Sequence, residues 1–403
     1  MFLSVEHRRS LLPPALFISL YLCALAAIGL HRPCWHDECH FVGTIIQFEQ
    51  GVTGSTLAHY NEMSMPLPFM LYAAWGKVFG DSLMELRLFS LLVAAITLFA
   101  YHSLFFLVTG KGRVSFLLMV FLALNPYMAG ASVFVFTDML MMLSLALFLI
   151  GMVRRNGLLL FLSSCAGLLC RQYFAFAVGA GILYFIMARL NERNTHGKLR
   201  LAGSLLASTI PLAALFALWH GLSPDNADKS LYIHGGPAFH PNSLTLYITL
   251  ISVYSLPLLV VFRRIFYRNF RLLIISPVLG LFYRSFPILP SDVAVDANKT
   301  TVGYFHRLLR ICPGERLEHY VFFALFILAL PVCLQTGIDL ARDIKQRKTG
   351  LPVFLGGAVF SFLAVMPFSY LHWEKYFLPM LPVLALYCVT AQKQIAPTVA
   401  PPS

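Results

Sequence analysis

Long apolar runs separated by short polar stretches dominate this chain. Asking for about 20 largely apolar residues per crossing, fewer where a neighbouring helix covers the ends, predicts helices at 11–30, 87–108, 114–129, 138–153, 157–170, 173–189, 201–220, 244–262, 272–289, 320–338, 351–371 and 376–391, about twelve spans. The 157–189 stretch also reads as one long helix, which would invert the sidedness of everything after it. The 11–30 run follows His7-Arg8-Arg9 and is too long for a signal-peptide core, so it reads as a retained anchor. The expected fold is therefore all-α, one polytopic membrane domain over 1–403, with a flexible tail at 394–403.

Between the first two spans lies a polar loop, 31–86, with a pattern of its own. Phe41, Ile45 and Phe48 repeat at helical spacing, which predicts a short helix along the membrane interface. Gly51-Val52-Thr53-Gly54-Ser55 ends it, and 69–79 reads as a second interfacial helix. A late loop, 284–319, is the least regular part. Within it Tyr304-Phe305-His306-Arg307-Leu308-Leu309-Arg310 puts aromatic and leucine residues on one side and two arginines near the other.

Composition changes the picture only by excluding a soluble globule: 58% of residues are hydrophobic and mean hydropathy is +0.74. Charge adds sidedness. With the N-terminus cytoplasmic, basic residues crowd the inner loops (Lys111 and Arg113, Arg154 and Arg155, Arg263 to Arg271, Arg342 to Lys348), as the positive-inside rule requires. The formal charge of +12 is thus an orientation signal, and no nucleic-acid partner is needed to explain it. Most acids, including Asp37, Glu38 and Asp138, fall on the opposite face.

Candidate chemistry starts at Trp35-His36-Asp37-Glu38-Cys39-His40-Phe41, directly after the first span. Carboxylates beside a bilayer are costly and call for a reason. Asp37 and Glu38 cannot face the same way on a helix, so they divide between a reactive and a structural role, or both cap the helix that follows. His36, Glu38 and His40 could hold a divalent metal, or reflect a chance cluster in an aromatic loop. No other cofactor is expected. Asp138 opens a helix, where an acid also serves as a cap. Arg171 sits among Leu168, Leu169, Tyr173 and Phe174; a buried guanidinium needs an anion, either a phosphate or a first-loop acid. His372 and Lys375, with Glu374, form a second candidate cluster, and Arg307 a third, unless it only makes a solvated basic face. Arg87 is expected to anchor its helix or pair with Glu85.

Three patches together carry a resemblance. Asp37-Glu38-Cys39-His40-Phe41 after one span is similar to the first-loop motif of protein O-mannosyltransferases. Leu169-Cys170-Arg171-Gln172 before an apolar run resembles the alpha-1,2-glucosyltransferases that complete the dolichol-linked oligosaccharide. Glu374-Lys375-Tyr376-Phe377-Leu378-Pro379 is similar to the entry of the last span in lipid-A aminoarabinose transferases. All belong to the GT-C membrane glycosyltransferases. The resemblance implies transfer of a hexose-type sugar from a polyprenyl-phosphate donor to a hydroxyl of a lipid-linked glycan, lipid or protein acceptor. It further implies a luminal or periplasmic site in an endoplasmic reticulum or bacterial inner membrane. It makes Asp37 the base, with Glu38 and Asp138 as supporting acids. Arg171, His372, Lys375, Arg307 and His40 become the substrate-binding candidates. A transporter or flippase of lipid-linked substrates is the competing class; against it, no internal repeat or matched pair of broken helices is visible.

Overall fold

The computed structural model describes residues 5–35, 37–191, 196–224, 226–227, 238–296, 299–312, 314–369 and 371–395. Every regular element among them is helical, and no strand occurs among the described residues. His36 and the tail beyond residue 395 lie outside them.

The chain divides into two compact units, Met1–Val178 with His196–Ile233, and Gly179–Thr195 with His234–Ser403. The first unit contains α1 (Val5–Gly29), α2 (Asp37–Gln50), α3 (Gly54–His59), α4 (Pro66–Phe79), α5 (Leu83–Thr109), α6 (Gly112–Ala123), α7 (Pro126–Val133), α8 (Asp138–Arg154) and α9 (Gly157–Cys170). A 3-10 turn at Gln172–Phe174 follows. Then α10 (Ala175–Asn191) carries the chain onward, and α11 (His196–Ala207) and α12 (Ile210–Trp219) complete the unit. The starts are written locally. The Asn125 side chain accepts from the Tyr127 and Met128 amides ahead of Pro126, and that of Asn156 accepts from Leu159. Helix α5 is central, packing on α1, α6, α7 and α8, while α9 packs on α8, α11 and α12. Tyr101, Phe105, Met119, Met142, Leu145 and Phe148 are fully buried there, and Tyr101 donates to the Met142 carbonyl at 2.9 Å. The methionines that open α8 therefore belong to the core.

The second unit holds α13 (Pro241–Tyr254), α14 (Leu256–Val261), α15 (Arg263–Phe266), α16 (Phe270–Leu279), α17 (Leu281–Ser285), α18 (Asp292–Asp296), α19 (Tyr304–Ile311), α20 (Glu315–Lys345), α21 (Leu351–Val365) and α22 (Met380–Ile395). The long α20 organises it, contacting α13, α16, α19 and α21.

Among the described residues six helical segments are long and apolar enough to cross a membrane: Leu12–Gly29, Leu83–Thr109, Gln172–Leu190, Gly197–Trp219, Glu315–Lys345 and Leu351–Phe368. A seventh is reached if α6 and α7, bent by 77° between them, count as one. These match the expected positions and account for six or seven of the twelve expected spans. The remaining predicted spans exist as helices too short to qualify (α8, α9, α22) or broken (α13 to α15, α16 with α17). The breaks have physical causes. Pro257 cannot donate to the turn before it, Pro277 does the same inside α16, and Gly280 follows. The short helices of the first loop form where the periodicity places them, as α2 and α4 with α3 between.

Candidate functional site

The two adjacent carboxylates of the first loop have separate fates. Glu38 is fully buried and accepts from four groups: Arg87 Nε at 2.9 Å, Arg87 Nη2 at 2.6 Å, the Val135 amide at 2.9 Å and the Trp35 amide at 3.0 Å. The bond to Trp35 runs back three residues and closes the start of α2 in the manner of a capping box. Arg87, also without exposed surface, spends its other donors on the carbonyls of Gly29, Leu30, Arg32 and Pro33, at 2.6 to 3.1 Å. Gly29 and Leu30 lie where α1 has run out of intrahelical donors, so Arg87 terminates that helix. Gly29 lets α7 approach closely: a Cβ there would stand 2.7 Å from a methyl of Val133, which would have to shift.

Arg87 anchors its helix, as one of its two expected roles had it, but its acid is Glu38, 49 residues away, and not Glu85. Glu38 cannot serve as a metal ligand while its lone pairs are taken by four donors. His40 is exposed, and no group of three His, Cys, Asp or Glu that could hold a metal occurs among the described residues. Of the three metal candidates Glu38 is thus taken up by other partners, and His36 lies outside the described residues.

Asp37 is the first residue of α2 and is exposed, about 100° around the turn from the buried Glu38. One turn later Phe41 is buried between Phe69, at 5.6 Å between ring centroids, and Phe136, at 6.2 Å. That packing fixes α2 against the strand of chain leading to Asp138. Asp138 is the first residue of α8 and 5% exposed. Both of its oxygens accept from Arg171 Nη2 at 3.1 Å, and Arg171 Nη1 donates to Ser64 Oγ at 2.9 Å.

Arg171 reaches this position because the chain breaks. Its backbone is extended between α9 and the 3-10 turn, so 157–189 is two helices and not one. The turn folds Phe174 onto Gly167, where a Cβ would lie 2.5 Å from the ring. Ser64 is held by Tyr60, whose hydroxyl donates to the Ser64 carbonyl at 2.9 Å. The anion for Arg171 is thus Asp138, with the first loop supplying a serine instead of the expected acid. The ends that meet around these residues are the C-termini of α1 and α9 and the N-termini of α5 and α8, the alternation that a back-and-forth path requires.

In the second unit Glu374 is buried at 1% exposure. It accepts from the Phe305 and His306 amides at 3.0 and 2.8 Å, capping α19, and from the Tyr254 hydroxyl at 2.5 Å. Beneath it Nδ1 of His306 accepts from the Val302 amide at 3.3 Å, which assigns the ring proton to Nε2, 3.3 Å from Glu318. Burial pushes this imidazole below its usual range, while Glu318 pulls it upward. His372 is buried as well, with its ring centroid 6.2 Å from that of His240. Burial, helped by His240, pushes its pKa down to about 4, so it is neutral at pH 7. Lys375 is half-buried with its ammonium 5.6 Å from the Tyr376 ring centroid, and Arg307 is exposed on α19.

Sequence reasoning missed Ser64, the Glu38–Arg87 pair, and the Glu318–Arg310 pair at 2.8 Å. A buried arginine opening a long apolar helix signals that an anion is needed; nothing local says which. No protein-family model, curated protein or solved structure matches the chain.

Proposed function

We propose that this protein is a membrane glycosyltransferase of the GT-C kind, moving a hexose-type sugar from a polyprenyl phosphate to an acceptor hydroxyl, with Asp37 as the base. The observation that carries the reading is the division between the adjacent carboxylates. Glu38 is consumed in fixing α1, α2 and α5 to one another, and Asp37 is left on the exposed side of the same turn. A base needs both properties, a rigid mount and access to the reacting oxygen.

In the proposed reaction Asp37 takes the proton of the acceptor hydroxyl as its oxygen attacks the anomeric carbon. The bond from that carbon to the phosphate oxygen breaks, and the phosphate departs on the opposite face, inverting the centre. Charge gathers on the departing phosphate, and a nearby cation lowers the barrier. Arg171 is the cation assigned that role, already oriented by Asp138 and Ser64. His372, Lys375 and Arg307 of the second unit, and His40 of α2, are proposed as substrate-binding groups. No step runs through a metal.

About twelve crossing segments belong to this reading, with short helices such as α8 and α9 crossing where neighbours cover their ends. The face bearing Asp37 would be luminal or periplasmic. Purified protein in liposomes, given radiolabelled polyprenyl-phosphate hexoses and lipid or peptide hydroxyl acceptors, tests it. Transfer of label to acceptor is expected. Donor that is bound and moved across the bilayer, yet never consumed, would instead establish the flippase alternative.

A further inference from the structure

The second unit has a charged cavity that the proposed reaction does not use. It lies at the end of α20 remote from Glu318: from 318 to 339 at about 1.5 Å per residue is roughly 32 Å, close to the thickness of a bilayer's hydrocarbon core. The cavity has a volume of about 390 Å³, and its walls include Arg268, Asp339, Arg342, Asp343, Lys348 and Tyr387.

Charge is layered in it. The carboxylates form the floor, with Asp339 7% and Asp343 4% exposed. The cations form the rim, their side chains 29% exposed at Arg268 and 48% at both Arg342 and Lys348. Asp339 holds Arg268 in a close ion pair and Arg342 Nη2 at 2.9 Å; Asp343 holds Lys348 Nζ at 3.1 Å. Three cations over two carboxylates leave one positive charge in excess. The carboxylates are occupied, so an incoming cation would have to displace a guanidinium or ammonium. An anion displaces nothing, because it meets the outward donors of the rim first. The rim joins two forks and a point charge from three different segments, a donor set matched to the several oxygens of a phosphate.

We propose that this cavity binds a phosphate group, carried either by the headgroup of an anionic phospholipid or by a soluble phosphate. The lipid source is tested by native mass spectrometry after exchange into nanodiscs of phosphatidylcholine with phosphatidylglycerol. The soluble source is tested by equilibrium dialysis against labelled inorganic phosphate and pyrophosphate. Wild-type protein should retain one of these probes, and Lys348→Gln with Arg342→Gln should weaken retention by about tenfold or more, the equivalent of one lost charge-assisted bond. Arg113→Gln, an exposed change in the first turn of α6 in the first unit, should leave retention unchanged. Should the double variant fail to fold, Lys348→Gln alone should still weaken binding and Lys348→Arg restore it. Wild-type protein that holds neither probe, or variants that hold them as wild type does, would overturn the proposal.

Discussion

Two buried acid–arginine pairs among the described residues of the first unit differ in kind. Glu38 with Arg87 is closed: neither side chain has exposed surface, and the guanidinium fork meets both carboxylate oxygens while its remaining donors reach four backbone carbonyls. Asp138 with Arg171 is at the edge, with 7% and 9% of the side chains exposed, one guanidinium nitrogen shared between both oxygens at 3.1 Å, and a serine hydroxyl as third partner. Desolvation makes a buried pair a poor source of net stability, but removing one partner strands the other. A pair that ties three helix ends together is therefore architecture. A pair held by fewer and longer bonds can exchange one anion for another.

The contrast is tested hardest by Glu38→Gln, which leaves Arg87 without its counter-charge. A loss of about 3 to 5 kcal/mol is expected, a large share of the stability of a folded protein. Thermal unfolding in detergent reads it. A folded Glu38→Gln protein of ordinary stability would erase the distinction.

Acid should act on a different kind of burial. His372 is kept neutral by its surroundings, with its pKa at about 4 against an ordinary 6.5. Between these values the unfolded chain binds a proton that the folded chain refuses. Stability therefore falls as pH drops from about 6.5 to about 4, by about 3 kcal/mol from this group, and is unaffected by it above 6.5. His306, shifted in the same direction, adds to the slope. His372→Gln should flatten the fall; an unchanged slope would mean that the buried imidazole does not set it.

The edge pair should give less in stability and more in binding. Arg171→Gln is expected to cost about 2 kcal/mol, mostly by stranding Asp138. If Arg171 meets the donor phosphate, affinity for a polyprenyl-phosphate hexose should fall as well. Unchanged affinity in folded protein would place this pair beside Glu38 and Arg87 as architecture.

How much of this was legible beforehand follows from the range of each signal. Helices at 138–153, 157–170 and 351–371 were predicted from apolar runs, and the chain forms Asp138–Arg154, Gly157–Cys170 and Leu351–Val365. Apolarity is local, so it transfers. Whether such helices cross a membrane depends on length and continuity, which Pro257, Pro277 and Gly280 interrupt, so length alone qualifies only six or seven of the twelve expected segments among the described residues. At the site, the need of Arg171 for an anion was legible because burying a guanidinium alone is prohibitive. Its partner was not, since Asp138 and Ser64 lie 33 and 107 residues away. The splitting of Asp37 from Glu38 follows from the 100° between neighbours on a helix. Which of them turns inward is decided by Arg87, and the sequence around Arg87 favoured Glu85.

The smallest structural effect is expected at Asp37, and there the comparison bears on function. Its side chain is exposed at the start of α2, so Asp37→Asn, which keeps shape and hydrogen-bonding reach, should cost no more than about 1 kcal/mol, the size of an acid's interaction with a helix start. As the proposed base it would lose the one capacity that matters, accepting a proton from the acceptor hydroxyl, and turnover should fall by roughly a hundredfold or more with donor binding retained. Glu38→Gln has the opposite signature, with loss of fold and activity together. Two neighbouring carboxylates, each made neutral by the same one-atom change, should therefore fail in different ways. Substantial transfer by folded Asp37→Asn protein, with a donor and acceptor that the wild type uses, would remove Asp37 from the reaction. The search for a base would then turn to Asp138, the acid that opens α8, released from Arg171 when a donor phosphate takes its place.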